Sequence, residues 1–341
     1  MFSPGRGLTA PGIRKWLGEF ELIRNVAKYA TRLGQSFSSS TEALTVQHDE
    51  VDLIQDITNN TSYVFSDGIG KISFEFATRV AKKCRLKGFT PSAFQIHYDG
   101  YKGVVAVDPA SSKKLSLRRS MSKFESENTT IDVLAYTKYQ PCFLNRQLIT
   151  LLSTLGVSDN VFELKQKEGV DQLNQVLTDP KKAYEAVELM SPGETTSLLK
   201  ELLLCGYKPD CEPFLSMMLH AFWATRMFEL RTKSRIFVPK GRALMGCLDE
   251  TRLLEYGEVF VQVSRAGCGS HFNANVVAGM VVVAKNPCLH PGDVRVLQAI
   301  DIPDLHHMVD CVVFPQKGKR PHLDECSGSD LDGDIFCKLG S

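Results

Sequence analysis

Seven residues near the end of the sequence constrain the fold more than any other stretch: Gly328-Ser329-Asp330-Leu331-Asp332-Gly333-Asp334. Carboxylates stand at i, i+2 and i+4. In an extended strand they would share one face, with the outer pair roughly 13 Å apart. No single metal ion bridges that distance. In a helix the middle carboxylate would turn away from the other two. A tight loop is the geometry that converges them, and Gly333 supplies the permissive backbone for the bend. Converged carboxylates repel by about 4 kcal/mol per pair at 4 Å and an effective dielectric of 20. Such a loop calls for a cation, and closely held hard oxygens suit Mg²⁺, with Mn²⁺ as a substitute.

Two plainer readings compete. Most acidic, glycine-containing turns are simply solvated. An EF-hand also opens Asp-x-Asp-x-Asp, but its glycine position holds Ile335 here and its closing glutamate position holds Ser341. The flanks favour chemistry. Val309 to Pro315 reads as a buried strand and Ile335-Phe336-Cys337 as the start of another. Between the first of these strands and the acidic loop stands a basic turn, Gln316-Lys317-Gly318-Lys319-Arg320. Three acids on a β scaffold beside a basic turn suggest phosphoryl transfer.

The run Ser327-Gly328-Ser329-Asp330-Leu331-Asp332-Gly333-Asp334 resembles the Asp-x-Asp-Gly-Asp signature of the eukaryotic cellular RNA-directed RNA polymerases of RNA silencing, the plant members above all. The preceding stretch, Ala284 to Arg295 and on through His306-His307-Met308-Val309-Asp310, resembles the same enzymes, and so does Ile23 to Ser38. The resemblance runs over about residues 22–336, whereas Met1 to Glu19 shows none. It implies two double-psi β-barrels of the kind found in multi-subunit transcription polymerases.

Composition adds bounds. The chain has 341 residues, 43% hydrophobic and 23% charged, a globular balance with room for two or three domains. A net charge of +1 means that affinity for nucleic acid must come from local basic patches. Ten scattered cysteines without a CxxC point to reduced, buried thiols in an intracellular protein, nuclear or cytoplasmic. No apolar run reaches membrane-spanning length. The expected architecture is α+β. Residues 1–57 form an N-terminal helical segment with a disordered start (1–10) and a helix from Ile13 to Leu33. Residues 58–141 form a first β-barrel with a short helix at Glu75 to Cys84, and 142–230 a wholly helical connector. Residues 231–341 form a second β-barrel with a helix near Asp293 to Ile300. In the connector, Phe214, Leu215, Met218, Leu219, Phe222 and Leu230 recur at helical spacing behind Pro213, as a core face rather than a platform for bases. His290, His306 and His307 lack metal-ligand spacing and read as structural.

The remaining site residues rest on the resemblance. Gly100-Tyr101-Lys102-Gly103-Val104-Val105 is similar to a transcription-polymerase element, Asn-Lys-Gly-Val-Ile, whose lysine faces the acidic loop and contacts the incoming triphosphate. This implies that Lys102 is catalytic and binds nucleotide, with Lys71 of Gly-Ile-Gly-Lys as a second such lysine. Alone, each would be a solvated turn lysine, since no GxxxxGK[ST] is present. Lys285-Asn286-Pro287 resembles an Arg-Ala-Pro element near the nucleotide ribose, which makes Lys285 a nucleotide-binding candidate, and Arg242 is another because it sits in a segment that resembles the family. RNA would lie along Arg79 to Lys83, Lys113 to Lys123 and Lys317 to Arg320, with Arg118, Lys123, Lys317, Lys319 and Arg320 as the named contacts. The implied reaction makes double-stranded RNA from a single-stranded template and nucleoside triphosphates by two-metal nucleotidyl transfer on Asp330, Asp332 and Asp334, in silencing and antiviral defence, with silencing-pathway proteins as partners. Ser341 follows the last aspartate by seven residues, so the second barrel is expected to be truncated and open-edged beside a frayed acidic loop. The alternative is therefore a catalytically inactive fragment that binds RNA or a partner.

Overall fold

The computed structural model describes residues 9–35, 38–86, 88–193, 196–266 and 274–339. The disordered start expected at 1–10 falls largely outside these, but Thr9 caps a helix that opens at Ala10. Two curled β-sheets and a helical block make up the molecule. The first sheet holds β1 (Thr41–Thr45), β2 (Val51–Ile54), β3 (Ile69–Ser73), β4 (Ala93–Tyr98), β5 (Tyr101–Asp108), β6 (Leu115–Arg118) and β7 (Thr130–Tyr136). Their spatial order is β1-β7-β4-β5-β3-β6-β2, so two strands upstream of the expected boundary at residue 58 belong to this sheet.

The second sheet closes on itself. It contains β8 (Pro141–Leu144), β9 (Ile236–Leu248), β10 (Glu258–Val263), β11 (Asn275–Val276), β12 (Gly279–Asn286), β13 (Val294–Ala299), β14 (Cys311–Phe314) and β15 (Ile335–Leu339). The order β10-β13-β12-β15-β9-β14 returns to β10 through the pairing of Val261 with Val312. β15 is hydrogen-bonded on both edges, Phe336 lying opposite Leu244 on β9 and opposite Lys285 on β12. The expected open edge beside the acidic loop is thus absent from the described residues, because β15 itself fills it. Val259, Phe260, Val261, Val281, Val283, Val312 and Val313, on the strands of this ring, are all buried although neighbours among them point to opposite faces. Such continuous apolar runs suit strands covered on both faces.

Four other expectations change. The helix foreseen from Ile13 to Leu33 is two, α1 (Ala10–Leu17) and α2 (Val26–Gly34). Gly18 ends the first at φ +147°, pressed against Phe124 and the Glu125 backbone where a Cβ would not fit, and Asn25 caps the second. The helix foreseen near Asp293 to Ile300 is strand β13. The connector foreseen as helical throughout begins with β8, which pairs with β9. Cys205 and Cys211 are exposed rather than buried. The helix expected at Glu75 to Cys84 is α3 (Phe74–Lys83), capped by Ser73.

The connector otherwise folds as α4 (Arg146–Thr154), α5 (Asp159–Gln175), α6 (Pro180–Met190), α7 (Ser197–Leu204) and α8 (Pro213–Lys233). Asp179 and Glu212 cap α6 and α8, each with proline in the first turn. Leu215, Leu219 and Leu230 of α8 are buried, while Phe214 and Phe228 stay exposed. The two sheets share apolar contacts. Phe65, Ile69, Ala93, Val104 and Ala106 of the first lobe pack into the same cluster as Leu244, Val283, Leu331 and Phe336 of the second. That shared core holds the acidic loop against the first lobe.

Candidate active site

The loop 328–334 lies between α9 (His322–Glu325) and β15. Its apolar residue, Leu331, is buried, and so is Phe336 just beyond it. Both pack on Gly246 of β9, where any Cβ would come within 3.0 Å of Leu331 and 2.9 Å of Phe336. Burying each side chain contributes about 1.5–3 kcal/mol, enough to anchor a turn that charge repulsion opposes. Upstream, buried Asp293 accepts from the Ser327 hydroxyl at 2.6 Å and from the backbone of Leu289 and His290. The loop also folds on itself. Asp332 N–H donates to Asp330 Oδ1 at 3.2 Å, and Asp330 N–H to Asp334 Oδ2 at 3.3 Å.

The first lobe reaches this loop from three directions. The Asp67 carbonyl accepts from Leu331 N–H at 2.8 Å. Gly68, at φ +85°, leaves no room for a Cβ, which would meet Asp332 N at 2.8 Å. Gln95 Nε2 donates to the Asp332 carbonyl at 2.8 Å and lies under Gly333. Lys102 Nζ meets Asp332 Oδ2 at 2.7 Å. From the second lobe, Lys285 Nζ stands 3.1 Å from Asp334 Oδ2. Two lysines therefore offset the repulsion between carboxylates that the sequence led us to expect.

Burial, then the neighbouring carboxylates of Asp332, Asp334 and Asp67, pushes the Asp330 carboxyl up to about 7. Asp67 is raised by burial and by Asp56 and Asp332, with Lys123 opposing. His97, opposite Lys102 in the β4–β5 pair, is lowered to about 4 by burial and by Lys102, with Asp332 opposing.

The other expected site residues lie elsewhere. Lys71 pairs with Asp108 at 3.1 Å and Glu250 at 3.4 Å. Arg118 is buried, donating to Glu250 at 2.9 Å and to the Ile69 carbonyl at 2.8 Å. It joins the two lobes and presents no free guanidinium. Arg242 stacks 4.6 Å over Tyr139 and donates to the carbonyls of Pro239 and Gly241. It stands opposite Lys338, three residues along β15 from Ile335, or roughly 10 Å from the loop end of that strand. Lys123 Nζ donates to the Ser120 carbonyl at 3.1 Å. Lys317 pairs with Glu255, and Arg320 with Asp324 at 2.5 Å, while the Lys319 carbonyl accepts from Asn59. The basic turn is thus held by its own neighbours rather than by the acidic loop. Asp67, Gly68, Gln95 and His97 were missed, since no local pattern distinguishes them from ordinary turn and strand residues.

Three carboxylates on one anchored turn form a donor set that fits a hard divalent cation. In the structure, lysines hold two of them instead, and among the described residues no three acidic, His or Cys side chains converge on one point.

A family model described as RNA dependent RNA polymerase matches residues 1–337. The chain belongs to the RNA-dependent RNA polymerase family. The match to this polymerase family includes residues 1–19, for which no resemblance was expected. The chain is 68% identical over 340 residues to RNA-dependent RNA polymerase 1 of Arabidopsis thaliana, covering 98% of this chain and 30% of that protein. It is 32% identical over 357 residues to RNA-dependent RNA polymerase 1 of Schizosaccharomyces pombe, spanning 29% of it. The solved RNA dependent RNA polymerase QDE-1 from Thielavia terrestris superposes with a TM-score of 0.75 at 21% identity, covering 97% of this chain and 40% of that one. This mixed α+β polymerase-family chain therefore spans about a third of the length of several relatives. No helix among its described residues is long and apolar enough to cross a membrane.

Proposed function

We propose that the seam between the lobes is a nucleotidyl-transfer site of an RNA-directed RNA polymerase, copying single-stranded RNA into double-stranded RNA for silencing and antiviral defence within the nucleus or cytoplasm. One observation carries the reading: Lys102 of the first lobe meets Asp332 of the second at 2.7 Å, across 230 residues of sequence. In this reading the two sheets are double-psi β-barrels. Asp330, Asp332 and Asp334 would hold Mg²⁺, which, when bound, activates the 3′-hydroxyl and steadies the triphosphate.

The chain's own groups do the rest. Lys102, with three donors and no acceptor, turns from Asp332 to the anionic polyphosphate and offsets charge developing on the leaving pyrophosphate. Lys285 plays the matching part from the second lobe, beside the sugar. Gln95 and the Asp67 carbonyl hold the loop backbone within the roughly 0.5 Å that such chemistry tolerates. Template phosphates follow the basic segments from Arg79 to Lys83, Lys113 to Lys123 and Lys317 to Arg320. Lys71 and Arg118 support this surface from beneath through Glu250.

The test is primer extension on single-stranded RNA with labelled nucleotides and Mg²⁺, in a polymerase containing this segment. Asp332→Ala should abolish product, and Lys102→Ala should lower turnover about 10²–10³-fold with RNA affinity little changed. Wild-type turnover in either variant would refute the proposal.

A further inference from the structure

Among the described residues, four side chains contain a buried polar atom without a hydrogen-bond partner, and one of these lies at the site: His97 Nε2. Its position follows from register. On β4, Gln95 and His97 are two residues apart and so point to the same face. Across the strand pair, His97 stands directly opposite Lys102, a spacing at which side chains touch. Gln95 uses its amide on the acidic loop, and Lys102 uses its ammonium on Asp332. His97, between them in placement, uses Nε2 on nothing. Where β4 pairs with β7 the register shifts, but the extra residue, Leu134, lies on β7, so β4 keeps the alternation that sets Gln95 and His97 on one face.

A buried polar nitrogen without a partner costs stability, and persists where a ligand completes it. The neighbouring ammonium excludes a cation as that ligand. An anionic oxygen suits both groups, and it suits an imidazole in either charge state, since either can carry hydrogen on Nε2. Resting on the reading of Lys102 given above, we propose that His97 is a further ligand-contacting residue of this site. Its Nε2–H donates to an oxygen of the polyphosphate that Lys102 neutralises, so that one strand pair offers a directional donor beside a point charge. The ammonium supplies attraction in any orientation. The imidazole fixes which oxygen faces the acidic loop.

The experiment uses the 341-residue chain and inorganic tripolyphosphate as the probe, titrated calorimetrically. Lys102→Met tests the site itself, His97→Phe removes the donor while keeping a ring, and His97→Gln restores a donor of similar reach. Binding should weaken about tenfold in His97→Phe, the scale of one hydrogen bond to a charged group, and recover most of that in His97→Gln. In the wild-type chain with ¹⁵N-labelled histidine, tripolyphosphate should shift the His97 Nε2 resonance, a change that a purely structural residue would not show. Unchanged affinity in His97→Phe, or an unmoved Nε2 resonance on saturation, overturns the assignment of His97 while a loss in Lys102→Met leaves the site reading standing. Full affinity in Lys102→Met, or no binding by the wild-type chain, overturns the site reading and the inference with it.

Discussion

The sharpest consequence of the two-lobe contact falls on Gly68, which touches the acidic loop without a side chain. Replacing it with alanine has two separable effects. At φ +85°, an L-residue is in the left-handed region, at a cost of about 1–2 kcal/mol. The new Cβ also comes within 2.8 Å of Asp332 N, 2.9 Å of Asp332 Cβ and 3.1 Å of Asp332 Cα. Ordinary contact begins near 3.5 Å, so the loop must retreat by roughly 0.5 Å or more, past the tolerance of a catalytic site. Overpacking of this kind adds about 1–3 kcal/mol, and the total is about 2–5 kcal/mol. Gly156→Ala is the control, because Gly156 sits at φ +102° with nothing within 4 Å. Urea denaturation should show Gly68→Ala costing at least about 1 kcal/mol more than this control. Mn²⁺ titration followed by electron paramagnetic resonance should show weaker binding in Gly68→Ala only. Equal stabilities and equal Mn²⁺ affinities would refute the argument that Gly68 sets the position of Asp332.

Further expectations follow from the other contacts. Glu250→Leu strands the buried Arg118 guanidinium and should cost about 3 kcal/mol in urea denaturation. The double change with Arg118→Met should cost less than Glu250→Leu alone, and an equal or larger loss would show that the pair is not coupled. Stability against pH combines opposite signs. Asp330, raised to about 7, retains a proton in the folded state that the unfolded chain has lost above about pH 4, so its contribution grows as pH falls through that window. His97, lowered to about 4, is neutral when folded but takes a proton when unfolded below pH 6.5, so its contribution is lost as pH falls. His307 and His322 are lowered too, chiefly by burial, and act in the same direction as His97. In Asp330→Asn, stability should therefore fall more steeply than in wild type between pH 6.5 and 4; an identical slope would refute the opposition. Cys205 and Cys211 should label with maleimide far faster than the other described cysteines, as they alone of these are exposed; rapid labelling of Cys311 would contradict its burial.

The acidic loop could be read from spacing because its chemistry is local: three carboxylates and two glycines within seven residues. Lys102 and Lys285 became candidates only through family resemblance, since nothing near either in sequence marks it as the partner of an aspartate. Gln95, His97 and Gly68 escaped notice for a related reason. Their meaning depends on which strand of one lobe faces which turn of the other, and periodicity within a strand does not encode that. The error at β13 is different. Pro291-Gly292-Asp293 looks like a helix opening, yet Val294 and Val296 favour extended backbone, and Asp293 spends its carboxylate on the preceding turn and on Ser327. Arg118 was misplaced among RNA contacts because a lone arginine beside other cations looks solvated. Its burial depends on Glu250, 132 residues away.

The closing position of β15 also bears on the order of folding. This strand enters between β12 and β9, so the ring remains open until it docks. The acidic loop immediately precedes it, and its contact with Lys102 closes a span of 230 residues. Such distant closures carry an entropy cost that rises with the logarithm of loop length and is repaid only when many contacts form together. The first sheet, whose strand pairings all lie between residues 41 and 136, can assemble while Lys102 still lacks its counter-charge. In stopped-flow refolding, probes on the first sheet should accordingly settle before any probe of the Lys102–Asp332 contact.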